Sequence, residues 1–205
     1  MGFAVYTIGI TGGTGAGKSL AVKALEKLGA LALDCDEIYH ELLLSSLEMR
    51  AEIEATYDNV TTENVVDRKK LGEIVWNDPL SLQKLNHITH GFVNSEMERR
   101  IRAFKNQGGK VAAIDAIALI ESGQSDRCDV VVGVTAPEEK RLSRIMNRDN
   151  LTREHAQMRI SAQQPESYYI KNCDHILENT FDTQAGFEEK CTEFFKNLIR
   201  DNKFE

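Results

Sequence analysis

The residues whose types and spacing suggest chemistry begin at positions 12–19, which read GGTGAGKS and match the pattern G-x-x-x-x-G-K-[ST] in full. Such a loop turns successive backbone N–H groups toward phosphate oxygens, and a helix that follows it adds a favourable dipole. Lys18 can reach the β- and γ-phosphates of a nucleotide, while the Ser19 hydroxyl can ligate Mg²⁺. Because a predicted strand precedes the pattern and a predicted helix follows it, the sequence predicts a phosphate-binding site here. The residues predicted to bind the nucleotide are Gly13, Thr14, Gly15, Ala16, Gly17, Lys18, Ser19, Leu20 and Arg144.

Two carboxylates, Asp34 and Asp36, flank Cys35 where the second predicted strand ends. Ligands of open α/β sheets bind at the carboxyl ends of the strands, so one of these groups can accept a proton from an attacking hydroxyl. Aspartate is also a favoured helix N-cap. The spacing leaves open which of the two carboxylates is the base and which is the cap.

A third carboxylate, Asp115, ends the apolar run VAAID at 111–115. This is the usual form of a carboxylate that holds Mg²⁺ through water in phosphoryl-transfer proteins. Many parallel strands end in aspartate without a metal, so the pattern leaves both readings open.

Three arginines, Arg141, Arg144 and Arg148, recur at i, i+3 and i+7 and share one stripe of a predicted helix. Guanidinium groups match phosphate oxygens in bidentate fashion and can stabilise charge on a transferring phosphoryl group. For Arg141 the pattern favours a solvated surface position paired with Glu138 at i, i+3. For Arg144 and Arg148, which adjoin a polar lid-like segment, it favours phosphate contact.

Composition narrows the class of protein further. The 205 residues carry 25 Lys and Arg against 32 Asp and Glu, a formal net charge of −7, which disfavours a protein that wraps nucleic acid. No apolar run approaches the ~18 residues that span a bilayer. Four scattered cysteines and five dispersed histidines lack metal-site spacing, so zinc is not expected. Without a visible export signal, we expect reduced thiols and a cytoplasmic protein that binds neither nucleic acid nor membrane.

The elements that must position these groups alternate between strand and helix, which predicts an α/β fold with a largely parallel sheet. Strands are predicted at 4–10, 31–34, 111–115, 129–135 and 175–177, and helices at 18–28, across most of 36–107, from Pro137 and from Asp182. The helix that follows Asp78-Pro79 has a predicted buried face of Leu82, Leu85, Phe92, Val93, Met97, Ile101 and Phe104. Residues 148–167 are predicted to be a polar segment.

This organisation predicts one domain over 1–205: a P-loop core at about 1–35, 108–147 and 168–205, a helical acceptor-binding insertion at about 36–107 and a lid at about 148–167. The aspartates lack the D-x-x-G pattern of GTPases, and no LSGGQ-like stretch of an ABC-type ATPase is present. A small P-loop chain with one helical insertion and an arginine-rich lid is typical of a small-molecule kinase.

Several blocks in order make the chain resemble the dephospho-coenzyme A kinase family over nearly its whole length. They are IGITGG at 8–13 with GKS at 17–19, LGA at 28–30, DCDEIYH at 34–40, VDR at 66–68 with Leu71, LN at 85–86 with His90, Asp115 with ESG at 121–123, Arg144, RD at 148–149 with TRE at 152–154, and Arg159, Ile160, Gln163, Asp174 and Asn179. The nucleotide loop is shared by many kinases, whereas the DxDxIxH block and the RD..(S/T)RE segment are far more specific.

The resemblance implies a three-layer P-loop NTPase fold with a five-stranded parallel sheet. It also implies ATP-dependent phosphorylation of the ribose 3′-hydroxyl of dephospho-coenzyme A, the last step of coenzyme A synthesis, with Mg²⁺. Carried over by position, the catalytic residues are Asp36 as base, Lys18, and Arg148 as a transition-state contact, while Arg144 is a lid phosphate contact. The residues expected on the acceptor side are Thr11, Asp36, His40, Asp67, Arg68 and Asp115.

Two departures from the family pattern bear on the identity of the acceptor, and the second of them falls near the expected acceptor pocket. Gly91 stands where the family has proline, and IALI at 117–120 lacks the family's aromatic residue. These changes keep open a second hypothesis, a kinase on the same core with another small acceptor. A nucleotide-binding regulatory protein without turnover is a third, but it predicts loss of the base or of the lid arginines. Asp36, Arg144 and Arg148 are all present.

Overall fold

The computed structural model describes residues 5–62, 65–76 and 78–201 of the chain. They form two compact units, Met1–Leu33 with Phe104–Glu205, and Asp34–Ala103. Ala4, where the first predicted strand begins, lies outside the described residues. The sequence predicts an insertion at about 36–107, and the second unit spans Asp34–Ala103.

The elements in chain order are β1 (Tyr6–Thr11), α1 (Lys18–Lys27), β2 (Leu31–Asp34), α2 (Cys35–Ser45), α3 (Leu47–Thr56), β3 (Thr61–Thr62), β4 (Val65–Val66), α4 (Arg68–Trp76), α5 (Pro79–Asn106), β5 (Val111–Asp115), β6 (Val130–Thr135), α6 (Glu138–Asp149), α7 (Arg153–Ser161), α8 (Glu166–Asn172), β7 (His175–Glu178) and α9 (Gln184–Asp201). A short 3-10 helix, Gln124–Arg127, precedes β6. The last helix thus begins two residues later than Asp182, where the sequence predicts it.

A five-stranded sheet in the order β2-β5-β1-β6-β7 forms the centre of the first unit. Strand β1 pairs in parallel with β5, where Ile10 is opposite Asp115, and with β6, where Ile8 is opposite Val130. Strand β7 continues the parallel arrangement beside β6. The predicted parallel sheet flanked by helices is therefore confirmed, and the carboxyl ends of β1 and β5 meet at one edge.

The core of this unit lies between the sheet and helices α1 and α9. Ile8 and Ile10 of β1 are fully buried, as are Leu25 of α1 and both Phe187 and Phe195 of α9. A strand that is covered on both faces is buried along its length rather than at alternate residues, and this holds for β1 from Thr7 to Thr11 and for all of β6.

The segment predicted as a polar lid, 148–167, is largely helical, because it contains α7 and the start of α8. Although the segment is mostly polar, two of its side chains are buried. These are Ala156 and Ile160, which pack against Leu142 and Ile145 of α6. Since only one narrow stripe of α7 is buried, the sequence shows no clear helical periodicity there.

The second unit is built from α2 to α5 and a small antiparallel pair, β3 with β4. The sequence prediction of a mostly helical segment missed this pair, because two-residue strands are too short to show alternation. Asp78 accepts a hydrogen bond from the Leu80 N–H at 3.0 Å, so α5 begins where the Asp-Pro pair predicts. Leu82, however, is 43% exposed rather than buried, while Leu85 packs in the core of this unit.

Candidate active site

The loop that joins β1 to α1 is shaped by glycines that pack against neighbouring backbone and side chains. Gly12 has φ +138°, and a Cβ atom there would lie 2.1 Å from the Val134 carbonyl oxygen. A Cβ on Gly13 would lie 2.3 Å from the Arg141 guanidinium. Gly15 and Gly17 also have positive φ angles, +79° and +114°. The loop therefore requires glycine both for its turns and for its close contact with β6 and α6.

The amino-terminal end of α1 carries the predicted phosphate-binding residues. Gly17 is the N-cap and supplies no side-chain hydrogen bond, which leaves the first-turn N–H groups without a capping side chain. Ser19 is exposed. The Nζ of Lys18 donates to the Gly12 carbonyl at 3.0 Å, so the ammonium lies across the loop. This arrangement of cation and helix N-terminus suits an anion.

Two residues of the predicted nucleotide site take part mainly in packing. The side chain of Leu20 lies against the core of the first unit, and its N–H donates to the Gly17 carbonyl at 3.0 Å. Ala16 is buried, and its N–H donates to the Gly13 carbonyl at 3.1 Å. Both residues hold the loop in shape.

Asp115 and Thr11 stand at neighbouring strand ends but differ in exposure. Asp115 is half-buried at the end of β5. Thr11 is fully buried, and its hydroxyl donates to the Ile117 carbonyl at 3.0 Å. In this structure the Thr11 side chain therefore anchors the segment after β5, and its role in acceptor binding stays a prediction.

Arg141 is the clearest departure from the sequence prediction of a solvated position. Its Nε donates to the Thr14 carbonyl at 2.9 Å, and its Nη2 donates to Gln163 Oε1 at 2.9 Å. Burial lowers the pKa of its guanidinium from the usual value. Glu138, its predicted partner, instead accepts a hydrogen bond from Gln157 at 3.0 Å. The shared stripe with Arg144 was the signal that could have found it.

Arg144 also points its guanidinium at protein oxygens around the loop. It donates to the carbonyls of Gly15 at 3.1 Å and Ala16 at 3.3 Å. Its other terminal nitrogen donates to Asn179 Oδ1 and to the Phe181 carbonyl, each at 3.1 Å. Burial lowers the pKa of this guanidinium too. Arg144 thereby ties the loop to the segment that follows β7.

Arg148, at the end of α6, makes a bidentate pair with Asp149 at 2.8 and 2.9 Å. Arg159 of α7 donates to the same carboxylate at 2.6 Å. The hydrogen bond to Asp149 raises the pKa of Arg148. The Arg148 side chain is 62% exposed, so it is open to solvent while held by this carboxylate.

Within the second unit, Asp34 and Asp36 have different surroundings. Asp34 caps α2, because its carboxylate accepts the N–H groups of Asp36 and Glu37 at 2.8 and 3.0 Å. Asp36 is exposed in the first turn, and its carboxylate has no hydrogen bond or ion pair with the described residues. His40, four residues later, is exposed on the same face of the helix.

Asp67 and Arg68 lie where the β-hairpin of the second unit leads into α4. Asp67 accepts the N–H groups of Lys69 and Lys70, both at 3.1 Å, and so caps that helix. Arg68 is exposed at the first position of α4. Burial raises the pKa of Tyr39 on α2, and the positive charge of Arg68 opposes this shift. Arg68 is therefore close to α2.

Over residues 5–62, 65–76 and 78–201, no three or more His, Cys, Asp and Glu side chains are grouped so that they could hold a metal ion. In the same part of the chain, no helix combines the length and apolar character needed to cross a membrane.

Comparison with known proteins decides the family. The family model described as "Dephospho-CoA kinase" matches residues 6–184. This chain belongs to the dephospho-CoA kinase family. A dephospho-CoA kinase of Geobacter sulfurreducens is 35% identical over 174 residues, covering 84% of this chain and 88% of the relative. One from Lactobacillus johnsonii is 30% identical over 197 residues, covering 95% and 99%. The structure of a Campylobacter jejuni dephospho-CoA kinase matches with a TM-score of 0.68 at 26% identity, covering 96% of this chain and 98% of that one.

Membership of the dephospho-CoA kinase family confirms the predicted resemblance, the P-loop kinase fold and kinase activity. A kinase of this family uses ATP, and the binding of its phosphates by the loop at 12–19 stays a prediction. The structure adds two loop contacts to which sequence reasoning gave no such role, Arg141 and Gln163. Gln163 comes close to Thr14 only in the tertiary structure, because 149 positions separate the two residues in the chain.

Proposed function

We propose that this protein transfers the γ-phosphoryl group of ATP to the ribose 3′-hydroxyl of dephospho-coenzyme A, which yields coenzyme A and ADP. The observation that carries the proposal is the division of roles between two aspartates in a chain of this family. Asp34 is engaged as a helix cap, whereas Asp36 is exposed with its carboxylate uncommitted among the described residues.

In this reaction the 3′-oxygen forms a bond to the γ-phosphorus while the bond from that phosphorus to the β–γ bridging oxygen breaks. ADP leaves with the electron pair, and the hydroxyl proton passes to Asp36. A hydrogen-bonded cap cannot accept a proton without weakening the helix start, so Asp36 is the better base. Lys18 and the arginines near the loop supply positive charge for the phosphoryl group.

Mg²⁺ fits the residues at the edge of the sheet. Ser19 offers an exposed hydroxyl at the start of α1, and Asp115 offers a half-buried carboxylate at the end of β5. Mg²⁺ prefers oxygen ligands and is usually held by one or two protein groups together with substrate phosphates. When bound, the ion would supply positive charge that neutralises the phosphate oxygens of ATP. We assign Ser19 as a direct ligand and Asp115 as one that acts through water.

The acceptor is assigned to the second unit. His40 shares a helix face with Asp36, and Arg68 lies beside α2, so an exposed cation is near the helix that carries the base. Dephospho-coenzyme A is an anion and the protein has a net charge of −7, so local guanidinium groups must outweigh the overall repulsion. Asp67 places Arg68 through the helix cap.

The direct test measures ADP release from the purified protein with Mg-ATP, with and without dephospho-coenzyme A, and identifies the product by mass. We expect strong stimulation and formation of coenzyme A. An analogue that lacks the 3′-hydroxyl should bind without stimulating ADP release. If protein that binds ATP shows no stimulation by dephospho-coenzyme A, the proposal is contradicted. The changes at Gly91 and 117–120 would then indicate a different acceptor.

A further inference from the structure

Thr14, near the crest of the nucleotide loop, is held by two side chains that occupy all of its polar groups. Its N–H donates to Gln163 Oε1 at 2.8 Å, and its hydroxyl accepts from Gln163 Nε2 at 2.9 Å. Its carbonyl accepts from Arg141 Nε at 2.9 Å. Arg141 closes the ring by donating to Gln163 Oε1 at 2.9 Å. Each hydrogen bond has good geometry, so the three residues form one satisfied network.

The remainder of the loop contrasts with Thr14. The Ala16 N–H donates within the loop, to the Gly13 carbonyl. The backbone N–H groups of Gly15 and Gly17 have no acceptor among the residues that the structure describes. The loop therefore has a held part at Thr14 and an open part beyond it, where N–H groups are free for phosphate oxygens.

The two side chains that hold Thr14 are themselves anchored on one packed pair of helices. Arg141 belongs to α6, and its guanidinium lies 2.3 Å from the place that a Cβ on Gly13 would take. Gln163 follows α7, which packs on α6 through Ile160 and its neighbours. A polar network fixed at both ends in this way restricts the loop before any ligand arrives.

We propose that Gln163 and Arg141 are positioning residues that clamp Thr14 in the nucleotide-binding shape and keep their hydrogen bonds to it when ATP is bound. This inference rests on the part of the proposed function in which the loop binds ATP, and not on the identity of the acceptor. Binding to an ordered loop avoids the entropy cost of ordering it, so the clamp increases affinity for ATP. The opposite arrangement, in which the Gln163 oxygen stands in for a phosphate oxygen and is displaced by ATP, predicts weaker binding in its presence.

The test compares Gln163→Met with Gln164→Met. Methionine keeps the length of glutamine but removes both polar ends, and the Gln164 side chain has no hydrogen bond to any described residue. Calorimetric titration with ATP and with ADP, without any acceptor, should show about 5- to 20-fold weaker binding for Gln163→Met, given the modest net contribution of each hydrogen bond. Gln164→Met should bind as the unaltered protein does. Equal affinity for the two variants, or tighter binding by Gln163→Met, overturns the clamp.

Amide hydrogen exchange supplies a readout that a purely structural role would not change. In Gln163→Met the Thr14 amide should exchange faster, whereas the Ala16 amide, bonded to the Gly13 carbonyl, should keep its protection. In the unaltered protein, protection at Thr14 should persist in the ADP complex. Loss of that protection on ADP binding would show that the nucleotide displaces Gln163 and would overturn the proposal.

A double-mutant cycle with Arg141→Met tests whether the two side chains act together. Because both hold Thr14 and bond to each other, the losses of ATP affinity should be strongly non-additive. Additive losses would contradict a single clamp. If Arg141→Met fails to fold, the exchange and titration results for Gln163→Met decide the question alone. Failure of dephospho-coenzyme A to accept phosphate would leave all of these nucleotide measurements unaffected.

Discussion

The carboxylate of Asp34 accepts the backbone N–H of Asp36 at 2.8 Å, so one aspartate of the D-x-D pair fixes the backbone from which the other projects. The cap also takes the N–H of Glu37, which commits Asp34 to the start of α2. The Asp36 carboxylate is exposed and has no such bond to the described residues, which is why we propose it as the base. Two residues of the same type, two positions apart, thus have different surroundings.

Asp36→Asn should lower kcat by at least ~100-fold and leave ATP affinity nearly unchanged, because it removes the proposed base while preserving the shape of the side chain. The matched control is Asp34→Asn, since asparagine caps helices as well as aspartate does. That control should keep turnover within a few-fold and lose little stability. An inactive Asp34→Asn beside an active Asp36→Asn would transfer the base role to Asp34. Steady-state kinetics and ATP titration of both variants make the comparison.

Lys18→Ala should reduce turnover by at least ~100-fold by removing a cation that contacts the phosphates as charge develops. The surface residue Lys23 lies on the same helix, 3.7 Å from Glu188, and Lys23→Ala serves as the control. Single-turnover measurement of ADP formation compares the two variants. Turnover by Lys18→Ala within tenfold of the unaltered protein would rule out this role.

Arg144→Met and Arg148→Met should affect different properties, the first stability and ATP binding and the second turnover. Arg144 bonds the loop and the segment after β7, so its loss should lower the unfolding temperature and weaken ATP binding together. Arg148 is largely exposed and paired only with its neighbour Asp149 among the described residues, so its loss should scarcely affect stability. If Arg148 contacts the transition state, kcat should fall while the ATP Kd stays unchanged. An unaltered kcat for Arg148→Met would show that Arg148 does not contact the transition state.

The hydrogen-bonded carboxylate of Glu96 should make the free energy of unfolding depend on pH. Hydrogen bonds from Arg99, and then from Arg100, lower the pKa of Glu96 to about 2. Because the unfolded value is about 4.3, this stabilisation is present above that pH and is lost as the pH falls toward 2. Glu96→Gln should lower the free energy of unfolding at pH 7 by about 1–2 kcal/mol, a figure reduced for screening at the exposed Arg99.

The measurement for Glu96 is denaturant unfolding at several pH values. The difference between Glu96→Gln and the unaltered protein should shrink between pH 4 and pH 2. Glu98→Gln is the control, since Glu98 is half exposed and lies 3.7 Å from Arg102, and it should change stability by less than ~0.5 kcal/mol. A constant difference across the pH range would show that packing, not charge, stabilises this site.

Local patterns in the sequence were enough to predict most of the first unit and the start of α5 in the second. The strands 31–34 and 111–115 match the observed β2 and β5, and Asp78-Pro79 marks the start of α5. These features depend on short-range chemistry, such as apolar runs, caps and turns. The pair β3–β4 was missed because strands of two residues contain too little pattern to recognise.

The sequence by itself determined the phosphate-binding loop, the sheet and the family, because each is expressed in residues close together in the chain or in blocks of fixed order. The tertiary structure decided which side chains face the loop. Arg141 reads as a surface residue, and Gln163 lies 149 positions from Thr14, yet helix packing places both on that residue. Which of Asp34 and Asp36 caps α2 was likewise open until the helix start was known. Hydrogen bonds between distant segments depend on how helices pack, and the local spacing of residues does not predict that packing.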